Sequence, residues 1–141
     1  MTTTTIEKSI FLAASRETVW DYLTDKDKLS EWFHPAADHL VEGKPYELLQ
    51  DANNPESKIC WGDVLSAKKP SSLIYTFTVK PLGGAMTTVT WTLEEAAGGT
   101  RVSLKHEGVA EAAGEAALGL LLALDKGWDK HFDKLRPQVA S

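Results

Sequence analysis

The sequence has a single cysteine, Cys60, no cluster of basic residues and no long apolar run. One cysteine excludes an internal disulfide bond, and no neighbouring base marks it as a nucleophile, so we interpret it as a half-buried strand residue. The net charge is −5, and Lys68 and Lys69 are an isolated basic pair, so the basic surface that nucleic-acid binding requires is lacking. The most apolar stretch, residues 112–124, is too short to cross a bilayer.

The sequence also offers little for catalysis or metal binding. It contains no Ser-His-Asp spacing, nucleophile elbow, phosphate-binding loop or dinucleotide fingerprint. Residues 1–5 are polar and lack the regions of a signal peptide. We therefore expect a cytoplasmic protein without metal or cofactor, with no nucleic-acid partner and no membrane insertion. The four histidines are too scattered to form a zinc site: His34, His39, His106 and His131.

What the sequence does have is the composition of one folded domain. Its 141 residues are 43% apolar and 25% charged, which predicts a single domain over residues 1–141 with an ordered core over about 6–136. A strand over residues 6–12 is followed by Ser15 as a helix N-cap. Apolar residues at helical spacing then predict two short helices, over residues 16–24 and 26–33.

In the middle of the chain the apolar residues change to a period of two, and the alternation of apolar and polar residues is clearest over residues 73–79, 88–93 and 101–106. It predicts strands over residues 46–48, 59–65, 73–79, 88–93 and 101–106, with a possible bulge at Gly62 and a hairpin turn at Gly98-Gly99. One apolar and one polar face per strand is typical of an antiparallel sheet with a single wet side. We expect six or seven strands in all.

The apolar stripe near the end of the chain predicts one long helix that covers the dry face of this sheet. We expect the helix to begin between Glu111 and Ala116, to run to about Leu135 and to be stopped by Pro137. Gly127 in this helix indicates either close packing there or mobility of the helix's first half. The residues of the stripe are Leu121, Leu124, Trp128, Phe132 and Leu135.

Short strings spread over residues 6–135 resemble the START-like superfamily, and within it the single-domain homologues of the heat-shock protein 90 ATPase activator. They occur in the family's order. This resemblance implies an α+β helix-grip fold, in which a curved antiparallel sheet wraps around a long C-terminal helix and leaves an apolar cavity between them. The strings are Ala14-Ser15-Arg16-Glu17-Thr18-Val19-Trp20, Leu23-Thr24-Asp25, Leu29 with Trp32-Phe33, Gly62-Asp63-Val64, Leu73-Ile74-Tyr75-Thr76-Phe77, Gly99-Thr100-Arg101-Val102, His106-Glu107-Gly108, and Gly127-Trp128 with Leu135.

Candidate ligand-binding residues are those that strand parity and helix periodicity direct into that space, with two residues that border the mouth in the resembling fold. His106 faces inward by parity, either as a strand-end histidine bonded to a backbone carbonyl or as a polar anchor or acid–base group. Asp63 can point either way because Gly62 precedes it. The candidates are Trp32, Phe33, Tyr75, Phe77, Trp91, His106, Leu121, Leu124 and Trp128.

Three functions are compatible with this pattern. The first, which we favour, is binding of a small apolar or aromatic ligand by a monomer or homodimer that is not an enzyme. The second is a cyclase- or dehydratase-type enzyme that acts on a small hydrophobic substrate in the same cavity, with His106 and Asp63 as candidate groups. The third is a heat-shock protein 90 co-chaperone, which is disfavoured because the eukaryotic activator resembles this chain only in its C-terminal part.

Overall fold

Within residues 5–79, 82 and 85–140, which the computed structural model describes, the chain forms six strands in one curved antiparallel sheet. The spatial order is β1-β6-β5-β4-β3-β2, so the first strand pairs with the last and every other neighbour is also a neighbour in sequence. The strands are β1 (Ile6–Leu12), β2 (Pro45–Leu49), β3 (Lys58–Lys68), β4 (Ser72–Val79), β5 (Thr87–Ala96) and β6 (Gly99–Glu107).

The helices lie after β1 and after β6, as predicted. Ser15 caps α1 by accepting a hydrogen bond from the Thr18 backbone N–H at 3.2 Å, and the Asp25 carboxylate caps α2 in the same way. The helices are α1 (Arg16–Thr24), α2 (Lys26–Trp32), α3 (Val109–Ala113) and α4 (Ala117–Ala140), and a 3-10 turn at Gly114–Ala116 joins the last two. The α+β helix-grip fold is thereby confirmed.

The core lies between the inner face of the sheet and the helices. On β4 the alternation is as expected, because Leu73, Tyr75 and Phe77 are buried while their neighbours on the other face are mostly half-buried. The predicted stripe on α4 is buried from Trp128 onward, whereas Leu121 is only partly buried. Over the second half of α4, the apolar stripe of the helix therefore packs in one core with the inner face of the sheet, as the sequence predicted.

The last helix differs from the prediction at both ends. The long helix α4 begins at Ala117, one residue after the expected range, because a separate short helix, α3, precedes it from Val109 and ends where Gly114 adopts a φ of +58°. Pro137 was expected to stop the helix, and this was wrong, since α4 continues to Ala140. A proline removes only one backbone donor, and the buried side chains of Leu135 and Val139 hold the last turn against the core.

The turn and the bulge also differ by a residue or more. The β5–β6 turn is Ala97-Gly98, with φ values of +51° and +87°, rather than Gly98-Gly99. Gly99 is a strand residue paired with Ala96, and a Cβ there would collide with the carbonyl of Leu12. The irregularity in β3 lies beyond Val64 rather than at Gly62.

Gly62 does not form a bulge, but allows β3 and β4 to approach each other closely. It pairs with Tyr46 of β2, and a Cβ at this glycine would collide with the carbonyl oxygen of Thr76. The Tyr46 hydroxyl donates a hydrogen bond to that same oxygen at 2.6 Å. The missing side chain therefore lets a tyrosine reach across β3 to the backbone of β4.

Ion pairs connect α4 to β1. The Lys8 ammonium lies 2.9 Å from the Asp125 carboxylate and 3.1 Å from that of Asp129. The contact is on the β1 side of the helix, and the opposite side of α4 faces β3 and β4. In the part of the chain that the structure describes, no helix has the length and apolarity that a membrane crossing requires.

Candidate functional site

A cleft of about 250 Å³ opens between α4 and strands β3 and β4. The end of α2 closes one side of it. Most of its wall is apolar or aromatic, and it is contributed by four separate parts of the chain: Phe33, His34, Ile59, Cys60, Phe77, Val79, Ala123, Leu124, Gly127, Trp128 and His131.

Phe33 and Trp128 form the aromatic wall of the cleft. Their rings stack at 5.3 Å between centroids, with an interplanar angle of 23°. Phe33 is the C-cap of α2, and its backbone N–H still bonds to the Leu29 carbonyl at 2.9 Å, so the helix end fixes its position. Gly127, one residue before Trp128, has nothing within 4 Å of the place where a Cβ would be. The close packing considered for Gly127 is therefore wrong, and the missing side chain leaves space in the cleft.

The structure brings four of the nine candidate ligand-binding residues to the cleft, namely Phe33, Phe77, Leu124 and Trp128. The other five are not part of its wall, and their role as ligand contacts stays a prediction. Four of these are buried in the packed core, and Leu121 is partly buried at the core's edge: Trp32, Tyr75, Trp91, His106 and Leu121.

Trp91 shows why inward parity did not suffice to place a residue in the cleft. Its ring makes edge-on contacts with Trp32 at 6.1 Å and with Phe132 at 5.9 Å. Its indole N–H donates to the Tyr75 hydroxyl at 3.0 Å. Side chains from α2 and α4 therefore fill the space in front of Trp91, and this part of the sheet–helix interface is solid.

His106 is completely buried, and both of its ring nitrogens are hydrogen-bonded. The Trp128 indole N–H donates to Nδ1 at 3.2 Å, and Nε2 lies 2.7 Å from the Thr87 hydroxyl. That hydroxyl donates to the Phe77 carbonyl at 2.6 Å, so it must accept from Nε2–H. Burial lowers the pKa of His106 to about 4. The residue is a neutral imidazole that supports the cleft wall from behind.

Asp63 lies outside the cleft, whereas Cys60 lines it. Asp63 is exposed on the outer face of the sheet, so the inward orientation considered for it is excluded, because Gly62 carries no bulge that would shift the parity. Cys60 is buried and lines the cleft, and burial raises the pKa of its thiol to about 12. The thiol is therefore protonated at neutral pH.

Two cleft residues with polar side chains, His34 and His131, were not among the ligand-binding candidates predicted from the sequence. Their rings lie 5.0 Å apart at an angle of 77°, although 97 positions separate them in the chain. A signal was present, because His34 follows Phe33 directly and His131 lies one helical turn after Gly127 and Trp128. Among the described residues, no three His, Cys, Asp or Glu side chains form a metal-binding group.

Burial also lowers the pKa of both cleft histidines. For His34 the second cause is the nearby charge of Lys134. For His131 burial lowers the pKa to about 4, the interaction with His34 and the charge of Lys134 add to this effect, and the hydrogen bond to the Trp32 carbonyl opposes it. Both imidazoles are therefore neutral at pH 7.

The curved sheet, the long C-terminal helix and the cleft between them together define a START-like protein of the helix-grip type. Residues 13–139 match the model of one family within this class, described as "Activator of Hsp90 ATPase homolog 1-like protein". The chain belongs to this family. A search of curated proteins finds no match.

Solved structures share the fold at low sequence identity. A protein from Chromobacterium violaceum, CV1439, is 22% identical with a TM-score of 0.77, and the match covers 98% of each chain. CalU16 from Micromonospora echinospora is 24% identical with a TM-score of 0.73, over 93% of this chain and 73% of that one. The Aha1 dimer from Colwellia psychrerythraea is 16% identical with a TM-score of 0.75, over 96% of each chain.

Proposed function

We propose that this protein binds a small apolar or aromatic molecule in the cleft between α4 and the sheet, without turning it over. The observation that carries the proposal is the cleft itself, whose wall consists mostly of aliphatic and aromatic side chains. Ligand sites in proteins have this character, with a few polar groups that orient the ligand.

The size of the cleft limits the ligand. A volume of about 250 Å³ lies at the small end of ligand-binding cavities and suits a molecule of one or two rings, or a short acyl chain. Burial of apolar surface contributes roughly 25 cal/mol per Å², so a ligand that hides a few hundred Å² reaches micromolar affinity.

The chemistry of the wall favours binding over turnover. A cyclase or dehydratase would need polar groups that converge on a reacting atom. His106 has both ring nitrogens hydrogen-bonded, and Asp63 lies on the outer face of the sheet. The Cys60 thiol is protonated, since burial raises its pKa to about 12. These three groups offer no activated nucleophile or strong base, and the two histidines in the wall, His34 and His131, are weak bases because burial lowers their pKa.

The proposal is tested by filling the cleft from α4. We choose Gly127→Leu as the blocking variant and Gly119→Leu as the matched control, because both glycines lie in α4 with nothing within 4 Å of a Cβ, but only Gly127 lines the cleft. Binding of short fatty acids and of one- and two-ring aromatic compounds is measured by isothermal titration calorimetry. Gly119→Leu should bind as wild type, while Gly127→Leu should bind at least tenfold more weakly. If no compound binds the wild type, or if the two variants behave alike, the proposal is wrong.

A further inference from the structure

The described side chains of the cleft that can form strong hydrogen bonds to a ligand lie next to each other. The indole N–H of Trp128 already donates to His106, and the Cys60 thiol is a weak donor and acceptor. In the part of the chain that the structure describes, the remaining wall residues with a polar side chain are His34 and His131, whose rings lie 5.0 Å apart. Among the described residues of the wall, this pair alone can therefore offer a ligand a strong side-chain hydrogen bond.

One ring nitrogen of His131 is hydrogen-bonded to the protein backbone, and the other is available to bond to a ligand. Its Nδ1 lies 3.4 Å from the carbonyl oxygen of Trp32, and a carbonyl can only accept, so Nδ1 carries the proton. The ring stands perpendicular to Phe33 at 4.5 Å and makes a further contact with Trp128 at 6.1 Å. Nε2 therefore has a free lone pair, with no hydrogen-bond partner among the described residues.

His34 supplies the complementary group. A neutral imidazole has one N–H donor and one acceptor nitrogen, and neither nitrogen of His34 bonds to another described residue. The ring is placed by contacts with Phe33 at 4.7 Å and with His131 at 5.0 Å. Together the pair offers an acceptor on one ring and a donor on the other.

We propose that His34 and His131 select a hydroxyl group on the ligand, so that the cleft takes a small aromatic alcohol of the phenol type. The hydroxyl would donate to Nε2 of His131 and accept from the N–H of His34, while the aromatic ring lies against Phe33 and Trp128. This inference rests on the proposed binding function and specifies the ligand class of the same cleft.

Other ligand groups fit the pair less well. An ether or ketone accepts only, so it would leave the lone pair of His131 without a donor. A carboxylate also accepts only, and it would place negative charge against that lone pair unless the histidine took up a proton. Protonation is opposed by burial and by the positive charge of Lys134, which acts on both rings. A hydroxyl, with one donor and one acceptor, matches both rings in their neutral form.

The test compares three naphthalenes of similar size by isothermal titration calorimetry at pH 7. They are 2-naphthol, 2-methylnaphthalene, which replaces the hydroxyl with a methyl group, and 2-naphthoate, which carries a carboxylate. For the wild type we expect 2-naphthol to bind about tenfold more tightly than 2-methylnaphthalene, which is the effect of one or two net hydrogen bonds. The naphthoate should bind more weakly than the naphthol.

Two variants locate the preference. In His131→Phe, which keeps an aromatic ring against Phe33, the naphthol and methylnaphthalene should bind equally, or the methyl compound more tightly. His34→Phe should give the same loss of preference, and it replaces His131→Phe as the test if that variant fails to fold. Lys134→Gln, which removes an exposed charge next to the pair, should keep the preference for the hydroxyl.

The outcomes separate this inference from the function on which it rests. If 2-methylnaphthalene and 2-naphthol bind the wild type equally, the cleft binds aromatic molecules and the hydroxyl selection is wrong. Tighter binding of 2-naphthoate would likewise overturn it in favour of an anion site. If none of the three compounds binds, the proposed binding function itself fails.

Discussion

The indole nitrogen of Trp128 donates a hydrogen bond to Nδ1 of His106 across 3.2 Å, from the last helix to the last strand of the sheet. Trp128 also lines the cleft, whereas His106 is buried behind Trp128 and is not part of the cleft wall. The Trp128 side chain thus packs in the core, satisfies a buried imidazole and forms the wall of the candidate site. Changes at this pair should therefore affect both stability and binding.

Replacement of Trp128 should separate its packing from its hydrogen bond. We expect Trp128→Ala to lower the free energy of unfolding by about 3–5 kcal/mol, as is usual for a buried large aromatic residue. Trp128→Phe keeps most of the ring but leaves Nδ1 of the buried His106 without a donor, which should cost about 1–3 kcal/mol. Urea denaturation of both variants measures the two losses. A loss under about 1 kcal/mol for Trp128→Ala would mean that the side chain is not buried.

His106 should make the fold sensitive to acid. Burial lowers its pKa to about 4, below the ordinary value of 6.5, so between these values the unfolded chain takes up the proton more readily than the folded one. Its contribution is therefore complete above about pH 6.5 and declines as the pH falls toward 4. A shift of this size corresponds to about 3 kcal/mol.

The acid effect is measured by urea denaturation of wild type and His106→Gln from pH 7 to pH 4. The variant starts less stable at pH 7, because it disturbs the bonds to Thr87 and Trp128, but it should lose about 3 kcal/mol less over this range. His131 adds a decline in the same direction in both proteins, since its pKa also falls to about 4. Parallel curves for the two proteins would show that His106 does not remain neutral in the fold.

Local patterns in the sequence predicted the fold well, because they follow from backbone geometry. Strand parity placed Tyr75, Phe77, Trp91 and His106 on the inner face, and helix spacing placed Trp128 there, and all five are buried. Turn and helix limits were less accurate, as at Pro137, because the packing of neighbouring residues outweighs the local signal there.

The cleft could be predicted only in part, for a different physical reason. Parity tells which side of the sheet a residue faces, but not how far the opposite helix stands from it at that point. In front of Trp91 the space is filled by Trp32 and Phe132, whereas at Gly127 it is open. The His34–His131 pair depends in the same way on how α4 lies against the end of α2. The sequence indicates that each histidine lies near the cleft, since His34 follows Phe33 and His131 lies one helical turn after Trp128, but no spacing records that the two rings meet.

Gly62 should not tolerate a side chain. A Cβ there would collide with the Thr76 carbonyl, and the strands would have to separate, so we expect Gly62→Ala to lower the free energy of unfolding by about 1–3 kcal/mol. Tyr46→Phe, which removes only the hydrogen bond to the same carbonyl, should cost about 1 kcal/mol. Both are measured by chemical denaturation. An unchanged midpoint for Gly62→Ala would contradict the close approach of β3 and β4.

Gly127 should give the opposite result, because the cleft leaves room for a side chain there. Nothing lies within 4 Å of a Cβ at Gly127 or at Gly119, and both residues are inside α4. Glycine in a helix is about 1 kcal/mol less favourable than alanine, so Gly127→Ala and Gly119→Ala should each raise the free energy of unfolding by up to that amount.

Only Gly127→Ala adds a methyl group to the cleft, so it alone should change the affinity for an aromatic ligand. Urea denaturation and calorimetry of the two variants check both effects. A clear loss of stability for Gly127→Ala, with a gain for Gly119→Ala, would mean that α4 packs directly against the sheet at this point and that the cleft is closed.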